Sequence, residues 1–226
     1  MQEDAIQMDG LVPARREIRE EARRVGWWYE KAKRAFDITL SSMLLALGLP
    51  IWLAAALLIR LTSPGPIILR QVRCARGGRR FTFYKFRTMV DGAHKHKARL
   101  SHMNEIPGPA FKLRDDPRVT RVGRWLRRSS IDEIPQLLNV LRGDMSIVGP
   151  RPPLPEEVEH YSSHELRRLA VKPGLTCLWQ VSGRSLIDFK EWVGLDLEYI
   201  GRRSFRLDLL IVLRTIPAVL TGRGAF

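Results

Sequence analysis

Apolar and polar positions divide this chain into three unequal stretches. Residues 1–30 mix charges of both signs, as in Arg15, Arg16, Glu17, Arg19, Glu20 and Glu21, and read as a solvated or interfacial segment. From Ile38 to Ile59 no charged residue occurs. A helix over this stretch would be about 33 Å long, enough to cross the hydrocarbon core of a bilayer. Beyond Leu61, Ser63-Pro64-Gly65-Pro66 breaks the chain, and short apolar periods then alternate with turn residues. The boundaries are 1–30 for the polar segment, 31–61 for a membrane element and 62–226 for a cytosolic body.

Two forms of the membrane element satisfy the pattern. One is a straight span. The other enters, bends and returns, because Gly48 and Pro50 lie near the middle and an interior proline removes a hydrogen bond and kinks the axis. Basic residues flank the stretch on both sides, Lys31, Lys33 and Arg34 before it and Arg60, Arg70 and Arg73 after it. Positive charge marks the cytoplasmic side, so matched flanks favour two cytoplasmic ends. From the residues alone both forms stay open. Trp27, Trp28 and Tyr29 precede the stretch, where amphipathic rings favour the headgroup level. Charged residues run to Lys33 before any apolar stretch, which is not a signal-peptide layout.

In the body, Ile67 to Arg73 and Arg79 to Arg87 read as strands around a turn at Gly77-Gly78. Alternation places Phe81, Phe83, Lys85 and Arg87 on one face of the second strand. Val119, Val122, Trp125 and Leu126 recur at helical spacing among Arg118, Arg121, Arg124, Arg127 and Arg128, a basic amphipathic helix suited to an anionic bilayer. Residues 205–220 form a second amphipathic stretch interrupted by Pro217, either core or interfacial.

Composition narrows the partners. A net charge of +14 with pI near 10.6 asks for nucleic acid, an acidic bilayer surface or phosphorylated small molecules. The aromatic-interleaved platforms of single-strand binders are absent, so nucleic acid is not expected. Neither a P-loop nor a dinucleotide fingerprint occurs, so a nucleotide would be held by other means. Cys74 and Cys177 lack metal-ligand spacing and are expected to be reduced thiols. His94, His96 and His102 sit among lysines, and His160 and His164 lack the glutamate of a zincin helix; all five read as surface histidines.

Ser130-Ile131-Asp132-Glu133 precedes the apolar run Ile134, Leu137, Leu138, Val140 and Leu141. A capping box, Ser130 with Glu133, is the plain structural reading, although Pro135 makes it imperfect and the helix could begin nearer Asp132. Either way, two adjacent carboxylates lie at a helix start, where the dipole favours their ionised form. One could attack phosphorus while the other holds a divalent cation, with Arg127 and Arg128 supplying the opposite charge. Val148-Gly149-Pro150-Arg151-Pro152-Pro153 is a stiff loop, either a connector or a platform for a phosphate or base. Lys172 to Thr176 and Trp179 to Arg184 have the same character.

Seven motifs in order resemble the bacterial sugar transferases, the monotopic polyprenol-phosphate phosphoglycosyl transferases. They are Lys33-Arg34-Ala35-Phe36-Asp37, Ser63-Pro64-Gly65-Pro66, Tyr84 to Met89, Asp116 to Thr120, Ser130 to Gln136, Gly143 to Pro152 and Trp179 to Arg184. Together they span the chain from about Lys33 onward. The resemblance implies an α+β, mainly helical fold. It would comprise a re-entrant membrane helical hairpin broken near Pro50, interfacial amphipathic helices and a small cytosolic globule, the catalytic domain, with a short β-hairpin. It further implies that Asp132 attacks the β-phosphate of a UDP-sugar, releasing UMP and leaving a sugar-phosphoryl aspartate. Polyprenol (undecaprenyl) phosphate would then take the phosphosugar. Glu133 would hold Mg²⁺, Lys85, Arg87 and Arg127 would bind phosphates, and Arg151 would shape the nucleotide site. The family's usual setting is the cytosolic face of the bacterial inner membrane, in contact with its lipids, with both termini cytosolic. Cys177 stands where a glycine is usual, and Cys74-Ala75-Arg76 replaces the common apolar-glycine stretch. The resemblance is to the family's compact form, which would lack the longer members' additional N-terminal spans.

Overall fold

In the computed structural model, the apolar stretch forms one helix of 36 residues, α1 (Trp27–Thr62), with Pro50 inside it. The structure describes residues 25–96, 98–105, 108–109, 111, 113–183 and 188–222. The polar segment 1–24 and Arg184 thus lie outside the described residues. Helical structure is unbroken through Pro50, so the expected hairpin is not seen as two separate helices. What the structure shows instead is packing at both ends. Phe36, Leu40 and Leu45 join the main core, whereas Ala55 and Ile59 are buried against Phe86 and Leu126 in a second, smaller core. Between these arms, Leu47, Leu49, Ile51 and Leu53 are exposed. Across its most apolar window the mean hydropathy is 2.3, so by length and composition α1 could cross a membrane.

The predicted hairpin forms. Strands β1 (Ile68–Cys74) and β2 (Arg80–Phe86) pair antiparallel, from Ile68 opposite Phe86 to Cys74 opposite Arg80. The turn is tight because Gly77 and Gly78 both take positive φ, 70° and 80°, which side chains disfavour. Phe81 and Phe83 point into the main core, as alternation predicts, and Lys85 continues along that face.

Helix α2 (Arg121–Arg128) matches the basic amphipathic stretch; Thr120 caps it by accepting from the Gly123 amide. Arg118 does not join its solvated face. It is buried outside the helix, where its guanidinium binds both carboxylate oxygens of Asp116. A 3-10 turn (Ile131–Glu133) follows, then α3 (Gln136–Arg142). Two three-residue strands, β3 (Ser146–Val148) and β4 (Gly174–Thr176), pair in parallel; the sequence pattern showed only loops there. Three one-turn helices, α4 (Pro155–Val158), α5 (Ser163–Leu166) and α6 (Leu178–Ser182), lie between and after these strands. The chain then forms α7 (Phe189–Arg202) and α8 (Phe205–Thr221). On α8 only Asp208 and Ile211 are buried, and Leu209, Leu210, Leu213, Ile216 and Leu220 are exposed, so most of its apolar face is outside the core.

Buried polar groups tie α1 to the body. Asp37 accepts from the Ser146 hydroxyl at 3.0 Å and the Ile147 amide at 2.9 Å. Asp208 of α8 accepts from Tyr29, Lys33 and Tyr199 at 2.9, 2.8 and 2.7 Å. Each donor satisfies a carboxylate that would be costly to bury alone. The architecture is mainly helical with two small two-stranded sheets. Cys74 and Cys177 are buried free thiols.

Candidate active site

Asp132 sits in the 3-10 turn before α3, 2% exposed. The turn follows Ser130, which takes positive φ (58°) and makes no capping bond through its side chain. The capping box is therefore not formed at Ser130; Ser162 and Glu165 form one instead. A left-handed Ser130 folds the chain back sharply after α2, which turns Asp132 inward rather than along a solvated first turn.

Lys85 Nζ lies 2.7 Å from Asp132 Oδ2 and 3.7 Å from Glu133 Oε1. Arg151 Nη1 reaches the same Glu133 oxygen at 3.4 Å. Burial pushes the Asp132 carboxyl above the usual carboxylate range; Lys85 opposes this and the Glu133 charge adds to it. Burial likewise lowers the Arg127 guanidinium from its ordinary value, with Asp132 and Asp116 opposing. Two carboxylates, one ammonium and two guanidiniums thus form a single electrostatic cluster in a largely desolvated place.

The scaffold behind the cluster is specific. Asn139 of α3 donates to the Thr82 carbonyl at 2.7 Å and accepts from the Tyr84 amide at 3.1 Å. It therefore fixes the helix that follows Asp132 to the strand that carries Lys85. Gly123 brings α2 against the chain after β2: a methyl built there would stand 1.9 Å from the Thr88 carbonyl oxygen. That approach lets Arg127 Nε donate to Thr88 Oγ1 at 3.0 Å, which holds the guanidinium in place.

The Arg151 loop is held by its carbonyls, since prolines have no amide to offer. Pro150 accepts from the Gly174 amide at 2.8 Å and Pro153 from the Cys74 amide at 2.9 Å. Pro152 accepts from Arg73 at 2.9 Å, and the Arg151 carbonyl receives Arg168 at 3.5 Å. Arg168 is itself buried, with Nε 2.8 Å from Asp196 Oδ2 and Nη1 2.7 Å from the Tyr161 hydroxyl.

Of the residues singled out in the sequence, Asp132, Glu133, Lys85, Arg127 and Arg151 come together. Arg87 does not. Its guanidinium is spent on the Pro64 carbonyl at 2.6 Å and on Ser63 at 2.8 Å, because it follows β2 where the chain passes the end of α1. Pro50 lies on the exposed middle of α1. His160 lies in the turn after α4 and contacts the Glu156 carbonyl, whereas His164 lies on α5. Sequence reasoning missed Thr88, Asn139, Arg73 and Arg168. Only a glycine inside an arginine-rich helix and an asparagine inside an apolar run hinted at the scaffold.

Mg²⁺ prefers oxygen ligands and usually takes one or two carboxylates, leaving the rest to water and substrate phosphate. Asp132 and Glu133 supply two such groups side by side. Among the described residues no third His, Cys, Asp or Glu joins them. The donor set fits an ion shared with a phosphorylated substrate, with Glu133 as the more accessible ligand, at 17% side-chain exposure.

The profile of the bacterial sugar transferase family matches residues 28–222. The chain is 52% identical over 162 residues to the galactosyl transferase CpsE of Streptococcus agalactiae, covering 71% of this chain and 36% of that protein. It is 40% identical over 199 residues to the exopolysaccharide production protein ExoY of Rhizobium meliloti, covering 86% of this chain and 88% of that one. A third relative, from Caulobacter vibrioides, is named UDP-glucose:undecaprenyl-phosphate glucose-1-phosphate transferase; it is 44% identical over 203 residues, with 86% and 72% covered. Every site residue in the cluster lies inside the matched span, and the chain belongs to the bacterial sugar transferase family.

Proposed function

We propose that this enzyme is a phosphoglycosyl transferase that moves a sugar-1-phosphate from a UDP-sugar to a polyprenol phosphate, with Asp132 as nucleophile. The carrying observation is a buried carboxylate 2.7 Å from an ammonium, with a second carboxylate and two guanidiniums beside it. The Caulobacter relative's name supplies the donor and acceptor classes.

In the first half-reaction an Asp132 oxygen forms a bond to the β-phosphorus while the bond to the bridging oxygen breaks, and UMP departs with that oxygen. Lys85 and Arg127 hold the β-phosphate oxygens as charge redistributes, and Arg151 faces the nucleotide. Glu133 would hold Mg²⁺, which would supply charge neutralisation of the diphosphate. In the second half-reaction a terminal oxygen of the polyprenyl phosphate attacks the same phosphorus, breaks the acyl phosphate bond and returns Asp132 as a carboxylate. Burial protects the acyl phosphate from water.

The site acts at the cytosolic face of the inner membrane. The exposed apolar middle of α1 enters the bilayer and both packed arms stay on the cytosolic side, a placement that the matched basic flanks support. Trp125 and the exposed face of α8 lie at the interface.

The test incubates membranes carrying the enzyme with UDP-sugars, Mg²⁺ and undecaprenyl phosphate, and identifies the nucleotide released. UMP is expected, and none from Asp132→Asn. Release of UDP, or UMP that persists in that variant, overturns the assignment. Tags at either end of the chain should react only from the cytoplasm.

A further inference from the structure

A second cleft lies where α1 meets the body, at the end of α3 opposite Asp132. Lys33, Arg34, Arg76, Lys172 and Arg203 all line it. Three of these are committed. Lys33 pairs with Asp208 at 2.8 Å, Arg34 donates to the Val140 and Leu141 carbonyls at 2.6 and 2.7 Å, and Arg203 donates to the Ile200 carbonyl at 2.6 Å. Lys172 and Arg76 have no hydrogen bond or ion pair among the described residues. Lys172 Nζ and Arg34 Nη2 each stand 3.7 Å from the point where a side chain on Gly143 would begin, so the glycine keeps the space between them open.

Among the described residues the acids nearby answer these charges only in part: Asp37 and Glu30 act on Lys172 without forming an ion pair with it. Asp37 accepts from Ser146 and Ile147, and Glu30 is exposed at the rim. Burial, and then the charge of Arg34, lower the Lys172 ammonium from its ordinary value. Lys172 and Arg76, with no ion-paired acid among the described residues, leave positive charge in the cleft that suits an anion. The cleft lies on the arm of α1 that begins with the exposed indoles of Trp27 and Trp28, which favour headgroup depth. At that depth the concentrated anion is a lipid phosphate.

We propose that this cleft binds the phosphate of an anionic membrane lipid, with Lys172 and Arg76 as direct donors and Arg34 as the flanking charge. The site would anchor the arm of α1 that carries Asp37 and is separate from the chemistry at Asp132.

The experiment reads the thermal unfolding midpoint of the full chain in phosphatidylcholine nanodiscs as phosphatidylglycerol is titrated in. The midpoint should rise with phosphatidylglycerol. The half-effect fraction should increase by about fivefold for Lys172→Gln or Arg76→Gln and by about thirty-fold for both together. Lys172→Arg with Arg76→Lys should keep the response, which guards against simple misfolding of the neutral pair. Asp132→Asn should keep it too, so failure of the catalytic reading would leave this one standing. A wild-type response in the neutral pair overturns the proposal. So does an equal loss in Arg121→Gln with Arg124→Gln, which would make the effect one of general surface charge. Inorganic phosphate reproducing the whole rise in pure phosphatidylcholine discs would reassign the cleft to soluble phosphate and overturn the lipid source.

Discussion

Lys85→Met separates two roles that the geometry gives one ammonium. Nζ is 2.7 Å from Asp132 and 3.7 Å from Glu133, so it both contacts the proposed phosphate site and favours ionisation of the proposed nucleophile. At an effective dielectric near 20, a pair at this separation attracts by about 6 kcal/mol before desolvation. Lys85 is 18% exposed, and desolvation with solvent screening offsets part of this attraction, leaving about 3 kcal/mol in favour of the ionised state of Asp132. That corresponds to a roughly hundred-fold smaller ionised fraction on the acid limb of the pH profile. The direction is fixed. Burial already holds the Asp132 carboxyl above the ordinary range, and attack needs the carboxylate. Activity therefore falls as pH drops through that raised value. Removing Lys85 raises it further, and the acid limb moves to higher pH. Single-turnover UMP release, followed from acid to alkaline pH with saturating UDP-sugar, measures this. Lys85→Met should lose most at low pH and recover part of the loss as pH rises. The same fractional loss at every pH, or a limb displaced to lower pH, would refute the electrostatic role and leave only phosphate contact.

Three further outcomes follow from packing. Gly123→Ala would put a methyl 1.9 Å from the Thr88 carbonyl oxygen, and should cost about 3 kcal/mol, lowering the thermal midpoint by about 10 °C and weakening the hold on Arg127. Asp37→Ala strands the Ser146 hydroxyl and the Ile147 amide; a loss of about 3 kcal/mol is expected, with protease cleavage between α1 and β1 accelerated before global unfolding. Arg168→Met leaves Asp196 buried without its cation and should cost about 3–5 kcal/mol, whereas adding Asp196→Leu should recover much of that stability in a denaturation series.

The local elements were the legible part. Two glycines between alternating strands specified the hairpin, and the arginine-rich period specified α2, because both signals are local. The two carboxylates and Lys85 were also named as candidates; alternation put the lysine in line with Phe81 and Phe83, and the family resemblance suggested its role. Long-range choices were not legible. Arg87 shares the periodicity of Lys85, yet it lies where α1 ends and serves the Ser63 and Pro64 carbonyls. Ser130 to Glu133 had the letters of a capping box, but Ser130 adopts a left-handed turn that the letters do not announce. Strands β3 and β4 are three residues each and exist through their pairing, so no internal period could reveal them. Helix α7 was missed although Asp188 accepts from the Glu191 amide at its start, a cap visible in the sequence beside a mixed apolar pattern.

The two-armed docking of α1 imposes a rotational condition on the membrane segment. Asp37, Ser41, Ala55 and Ile59 are its buried residues. At about 100° per residue, Asp37 and Ala55 are five full turns apart, and Ser41 and Ile59 are as well. All four thus share one face, although between Ser41 and Ala55 only partly buried residues, Leu45 and Trp52, touch the cores. A single residue inserted between Ser41 and Ala55 would rotate the second arm by about 100° and turn Ala55 and Ile59 away from Phe86 and Leu126. The segment is therefore constrained in phase as well as in hydrophobicity. A replacement of equal greasiness but one residue longer should insert into lipid and still misplace Leu126, and with it the helix that carries Arg127.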